Sequence, residues 1–157
     1  NVEQWKDRND ATLLHGVDQL NRGFDSITNE KSLRELVVLN VAAGKIAAET
    51  HTAFDIGTHY FRAAIDTLGE EKLWRNHYSI AFAAHIGLAE CYRNMGNCQR
   101  CQRTVEEIVL HAETIQDKAT AYIVLIEAFD GQDKWEAALE LSRSTLTLLG
   151  CPLPVNP

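Results

Sequence analysis

Apolar residues recur along this chain at intervals of three and four, and strand-like alternation of apolar and polar positions is missing. Ile80, Ala84, Gly87, Leu88, Cys91, Tyr92 and Met95 form one such stripe, and Val105, Ile108, Val109 and Ala112 form another. The first proline is Pro152, so a long stretch rich in Ala, Leu, Ile and Glu can be helical almost throughout. Helix punctuation divides that stretch. A first helix runs from about Val2 to Arg22 and is closed by residues 23–29. A second runs from about Glu30 to Glu49. A third starts at Thr50 and ends near Leu68-Gly69, where Gly69 suits a left-handed C-terminal cap. A fourth spans about Glu71 to Met95, with a break allowed near Asn76. Gly96-Asn97 is a turn, and Asn97 caps a fifth helix from Cys98 to about Thr114. Asp117 caps a sixth, to about Phe129. Asp133 caps a seventh after the turn at residues 130–133, and Gly150, Pro152 and Pro154 stop it after Leu149. About seven helices with short links predict antiparallel neighbours.

Two of these helix pairs superpose at an offset of 37 residues. Leu88-Ala89, Tyr92, Cys98 and Cys101 fall on Leu125-Ile126, Phe129, Trp135 and Ala138. The spacing within each unit resembles that of a tetratricopeptide repeat, in which a first helix carries a large apolar residue, a small one and an aromatic. After a short turn, the second helix carries an aromatic and then an Ala at the close helix contact. "DKWEAALEL" (133–141) matches the second half well. A third unit lies upstream, with Gly57, Phe61 and Ala64 on its second helix and Gly44 and Ala47 on its first. The fold class expected is therefore all-α: antiparallel helix pairs stacked as a right-handed α-solenoid. It forms a single domain over 1–157 with units near 31–69, 78–114 and 117–150, and three units are about the minimum for a stable stack.

One short motif looks like chemistry. Cys98 and Cys101 in "GNCQRCQR" have the C-x-x-C spacing of zinc knuckles and dithiol redox sites. In the repeat register, however, Cys98 takes the aromatic position and Cys101 the small contact position, and cysteine is a small, readily buried residue. Zinc would need Cys91 as well, and a fourth ligand from His85, His111 or Cys151; no second ligand pair at a recognisable spacing exists. A redox role would draw on the helix N-terminus and on Arg100 and Arg103 to lower the thiol pKa, but without the βαβ context of a thioredoxin-like motif. The expectation is reduced, metal-free thiols, with Cys101 packed and Cys98 the more accessible.

Composition narrows the remaining classes. Hydrophobic content is 45% and charged content 24%, ordinary for a globular chain of 157 residues with one core. A net charge of −7 argues against general affinity for nucleic acid or anionic membrane. No apolar run reaches the length of a membrane span, and the N-terminus lacks the basic start and apolar region of a signal peptide. Without an initiator Met, the chain reads as a piece of something longer. The four cysteines show no disulfide rhythm, which favours a reduced, cytoplasmic setting. None of the six histidines is followed by an acidic residue, as a sensor-kinase phosphoacceptor would be; His51 and His59, two turns apart, could share a helix face. Glu70-Glu71 and Glu106-Glu107 are adjacent and diverge by about 100° on a helix, so they read as solvated faces. Trp74, Tyr78 and Phe82 have the spacing of a core stripe.

The long-range pattern is more specific. "DQLNRG" (18–23), "LNVAAGKIA" (39–47), "AFDIGTHYFRAAIDTLG" (53–69), "WRNHYSIAFAAHIGLAECYRNMGN" (74–97), "DKATAY" (117–122) and "LTLLGCPLP" (146–154) follow one another across nearly the whole chain. Together they resemble the helical, tetratricopeptide-like segment of very large signalling proteins. In those proteins it follows an AAA-type ATPase module, itself often preceded by a serine/threonine-kinase-like domain, with GAF and histidine-kinase modules after it. The resemblance implies ATP binding and phosphotransfer for such a parent. None of the motifs for either is in this chain: there is no Gly-x-x-x-x-Gly-Lys-Ser/Thr and no kinase catalytic loop.

The function expected is a non-catalytic interaction platform and spacer, with no cofactor. Its partner would be a protein, a peptide or a neighbouring domain of the same polypeptide. In the repeat register the groove would present Lys45, Glu49, Glu90, Arg93, Asn94, Glu127 and Asp130, a lining that turns acidic toward the third unit and suits a segment with some basic character. The alternative is a thiol-based redox or metal sensor built on Cys98 and Cys101 with Cys91.

Overall fold

The computed structural model describes residues 2–152, with side chains described from residue 9 onward. Among the described residues the secondary structure is helical, with eight α-helices and no strand. They are α1 (Val2–Arg22), α2 (Glu30–Lys45), α3 (Phe54–Leu68), α4 (Glu70–Asn76), α5 (Tyr78–Asn94), α6 (Cys98–His111), α7 (Ile115–Asp130) and α8 (Trp135–Leu148). The expected all-α class of packed helix pairs is what the chain forms. Pro154, named above as part of the final stop, lies outside the described residues.

Several boundaries differ from those expected, each for a local reason. The fourth helix is two: the chain breaks at His77, whose backbone (φ −142°, ψ 50°) leaves the helical region between α4 and α5. The count is therefore eight rather than seven. Thr50 does not start α3. It ends a π-helical turn, Ile46–Thr50, that extends α2, and α3 begins at Phe54 after Thr52 adopts a positive φ of 50°. Asp117 is not the cap of α7; Thr114 is, and its hydroxyl accepts from the Asp117 N–H, so α6 ends earlier, at His111. Asp133 does not cap α8 either. It takes φ 56° in the turn, and Lys134 occupies the cap position without a side-chain hydrogen bond. Asn29 and Asn97 do cap their helices, accepting from the Ser32 and Arg100 N–H groups at 2.8 and 3.1 Å. Gly69 closes α3 with φ 78°, its N–H donating to the Ile65 carbonyl at 3.1 Å.

The chain divides into two compact units, Asn1–Gly87 and Leu88–Pro157. In the first, α2 packs most closely on α3 and also on α1. Val17, Ala43, Ala47 and Tyr60 form a buried cluster flanked by Leu13, Leu14 and Leu39. Phe61, buried on α3, lies across two glycines. A Cβ added at Gly44 would come within 2.8 Å of its ring, and one added at Gly87 within 2.2 Å, so the ring fills the space a side chain would need at either position. Asn40 is fully buried on α2 and exchanges two amide hydrogen bonds with Asn21 of α1, at 2.8 and 2.9 Å, which ties the two helices together without leaving a buried polar group unsatisfied. Lys72 of α4 donates to Glu30 at the start of α2 at 2.8 Å, and that bond holds the Glu30 carboxyl below the usual carboxylate range.

In the second unit α6 packs on α7 and α7 on α8. The buried face of α6 is Cys98, Cys101, Val105 and Ile108, spaced by three and four. Ala119, Ala121, Val124, Leu125 and Ala128 are the buried residues of α7, and Ala138 and Thr145 those of α8. Small side chains at these positions let helix axes approach closely.

Two substitutions test this packing. Gly87→Ala adds a methyl group into the Phe61 ring; overpacking of about 1–3 kcal/mol is expected to outweigh the gain of up to about 1 kcal/mol in helix propensity. Urea denaturation should show a net loss that Phe61→Leu in the same chain partly restores, because the two positions are coupled. Ala138→Leu should overpack the last helix pair at a cost of roughly 1–3 kcal/mol; a melting temperature that does not fall would count against the register.

Candidate functional site

The thiols come first because the sequence singles them out. Cys91, Cys98 and Cys101 are buried and Cys151 is exposed; all four are free. Cys101 is inaccessible to solvent, as its repeat position requires. Cys98 is the more accessible of the two, as expected, but the helix start is not open: Cys98 is only 4% exposed, and the Lys134 ammonium sits 3.8 Å from its Sγ. The helix start is therefore covered by the turn before α8. Burial pushes the Cys101 thiol up to about 11, the neighbouring Cys98 adds to the shift, and Arg93 opposes it only in part. Desolvation disfavours the thiolate more than the helix N-terminus favours it, which reverses the lowering a redox site needs.

The two histidines named as possible fourth zinc ligands are engaged elsewhere. His85 is buried with Nδ1 2.8 Å from the Ala81 carbonyl oxygen and Nε2 3.0 Å from Glu70 Oε1, its ring 4.7 Å from that of Trp74. His111 Nδ1 lies 3.0 Å from the Glu107 carbonyl and 3.2 Å from its carboxylate. Among the described residues no group of three or more His, Cys, Asp or Glu could hold a metal ion. His51 and His59 do not share a helix: His51 follows the π-helical turn, 3.9 Å from Asp10, whereas His59 is on α3. Trp74 is buried on α4, and the stripe continues across the helix break to Tyr78 and Phe82, with ring centroids 5.7 and 6.1 Å apart in turn.

The groove residues fall in both units. In the first, Lys45 ends α2 and Glu49 lies in the π-helical turn, both exposed. In the second, Glu90 and Arg93 are half-buried on α5 and Asn94 is exposed beside them, its amide donating to the Glu90 carbonyl at 2.8 Å. Glu127 and Asp130 are exposed on α7. Arg93 and Glu127 form an ion pair from α5 to α7. The two are 34 residues apart, so the pair joins one repeat to the next.

A further cleft, of about 690 Å³ in the first unit, had no sequence signal. Asp18, Asn21, Arg22, Asp55, Ile56, His59 and Tyr60 line it. Its residues come from α1 and α3, 42 positions apart where the Tyr60 hydroxyl donates to Asp18 Oδ1 at 2.9 Å. Burial first, and then the Asp18 carboxylate, push the Tyr60 phenol up to about 12. The phenol therefore stays protonated and serves to hold α3 to α1.

Over 148 residues the chain is 26% identical to hybrid signal transduction histidine kinase G of Dictyostelium discoideum. The match covers 89% of this chain and 4% of that kinase, so the chain spans a small part of the relative's length. Similarity at this level is to a segment of a signalling protein. No protein-family model and no solved structure matches the chain. No helix among the described residues is long and apolar enough to cross a membrane.

The thiols can be counted. At neutral pH a disulfide exchange reagent should react fast with Cys151 alone, and with Cys91, Cys98 and Cys101 only on unfolding. Because the folded Cys101 pKa of about 11 lies above the ordinary value of 9.0, the unfolded chain loses that proton first. Stability contributed by Cys101 is thus complete below pH 9, falls as pH rises through 9, and levels off past about 11. A Cys101→Ala chain should lack that decline when denaturation midpoints are compared across the range.

Proposed function

We propose that the chain is a non-catalytic helical-repeat module, an interaction platform and spacer within a multidomain cytoplasmic signalling protein whose ATPase or kinase activities reside in other domains. The observation that carries this is the match of 89% of the chain to 4% of a hybrid histidine kinase, which makes it similar to one segment of a signalling protein, and the chain's own sequence has neither a Gly-x-x-x-x-Gly-Lys-Ser/Thr nor a kinase catalytic loop. The 37-residue repeat supports a tetratricopeptide-like register. The burial of three cysteines and the raised Cys101 pKa weigh against the thiol sensor.

On this reading the row from Glu90, Arg93 and Asn94 to Glu127 and Asp130 meets a short peptide with some basic character, or a neighbouring domain of like charge. Titrating the isotopically labelled protein with short Lys-containing peptides, and with Glu-containing versions of the same peptides, should shift amide resonances at Glu90, Asn94, Glu127 and Asp130 for the basic set alone. Glu127→Lys should weaken the interaction at least about fivefold, since it replaces attraction by repulsion. Shifts confined to other surfaces, or equal shifts with the acidic set, would remove the platform from this row.

A further inference from the structure

His85 of α5 sits between two hydrogen-bond acceptors. It is 2% exposed, with Nδ1 2.8 Å from the Ala81 carbonyl oxygen and Nε2 3.0 Å from Glu70 Oε1. A neutral imidazole has one N–H and one bare nitrogen, so it can donate to one partner and accept from another. Neither partner here has a proton to give. The Ala81 carbonyl only accepts. Glu70, whose side chain is 52% exposed, is a carboxylate at neutral pH and also only accepts. Whichever nitrogen a neutral ring left bare would turn its lone pair onto an oxygen lone pair at hydrogen-bond distance. Both contacts are satisfied together only when both nitrogens carry hydrogen, as in the imidazolium.

A buried charge is costly unless it is paired. Glu70 supplies the opposite charge, and half of its side chain stays in water, so its own desolvation is small. The Trp74 ring lies 4.7 Å from the imidazole, tilted by 33°, and offers the π face that a cation favours. Among the described residues no other ion pair reaches His85 from α2, α3 or its own helix. The neighbouring charges of α4 are engaged otherwise, Glu71 with Arg75 and Lys72 with Glu30. His77, just past the far end of α4, bears on Glu30.

The element that this pair holds is hinged. Gly69, directly before Glu70, has φ 78° and open space where a Cβ would sit, and His77 leaves the helical region directly after Asn76. Between these joints the seven residues of α4 are fixed by the burial of Leu73 and Trp74, by Lys72 on Glu30 and by Glu70 on His85. When the imidazolium loses one proton, the buried ring keeps the N–H that serves Ala81, its neighbour in the same helix. Glu70 is then released and turns into water.

We propose that His85 is a proton-operated latch: protonated on both nitrogens, it fastens the start of α4 to α5 through Glu70, and loss of one proton as pH rises frees that end. This is control within the first unit and does not rest on the platform function.

Nuclear magnetic resonance of the 157-residue protein with isotopically labelled histidine reads the ring directly. At neutral pH both His85 nitrogens should give resonances of the protonated type. As pH rises one should convert to the bare type. Hydrogen-exchange protection of the Leu73 and Trp74 amides should then fall about tenfold, the lower end of what a hydrogen bond to a charged group is worth, while α5 keeps its protection. In Glu70→Gln the side-chain amide can donate to a bare Nε2. His85 should then be neutral at neutral pH, and protection of α4 should no longer depend on pH. In Glu70→Ala that protection should be low at every pH. Circular dichroism establishes that each variant is folded; if either is not, the ring resonances of the unaltered protein still decide. A single protonated nitrogen on His85 at neutral pH would overturn the proposal. So would α4 protection that stays constant while His85 loses its proton, or that falls equally in Glu70→Gln, which would give the control to another group such as His77.

Discussion

The Phe61 ring rests against the backbones of Gly44 and Gly87, and the first unit is arranged around that contact. At these two positions the ring occupies the space that a Cβ would need, and glycine is the residue that has none. Close approach then extends to small residues nearby: Ala43 on α2, Ala47 in the π-helical turn that follows it and Ala64 on α3 are all fully or almost fully buried. With α2 drawn against α3, Asn40 comes within reach of Asn21 and Tyr60 within reach of Asp18. Those polar pairs are worth little in isolation but costly to break, because each buried group has lost its water. Packing sets the distances, and the hydrogen bonds then select one arrangement of the helices.

The second unit follows the same logic with smaller parts. Cys101 and Ala138 stand where only small side chains fit, and the turn between α7 and α8 closes over the start of α6. That turn depends on Asp133 holding a positive φ, a conformation to which Asp is better suited than most residues. It delivers Lys134 to Cys98 and the Gln132 amide to the Gly96 carbonyl. Of the C-x-x-C pair, Cys98 lies under this turn, and Cys101 is fully buried, where desolvation raises its pKa and keeps the thiol protonated.

Several polar side chains hold one helix to another. His85 bridges to Glu70, Tyr60 to Asp18, Lys72 to Glu30 and Arg93 to Glu127.

Helix class, the breaks near Asn76 and Gly96, the Asn97 cap and the small-residue contact at Cys101 and Ala138 were all legible in the sequence, because each is set by local spacing or by a residue's own backbone preference. The cap at Thr114 was not, since Asp117 is an equally good capping residue in isolation, and Lys134 takes the cap position of α8 with no side-chain hydrogen bond, against the local preference for Asp133, because the assembled turn decides. The π-helical turn at 46–50 has no composition of its own and arises where α2 must re-aim toward α3. The cover over Cys98 left no local signal for the same reason: a helix N-terminus is exposed by default, and what covers it lies 36 residues away. The Asp18–Tyr60 and Asn21–Asn40 pairs left no trace in any local pattern, because they depend on distances between helices. Periodicity specified which faces would be buried, but which polar groups would meet across those faces was decided only when the helices packed.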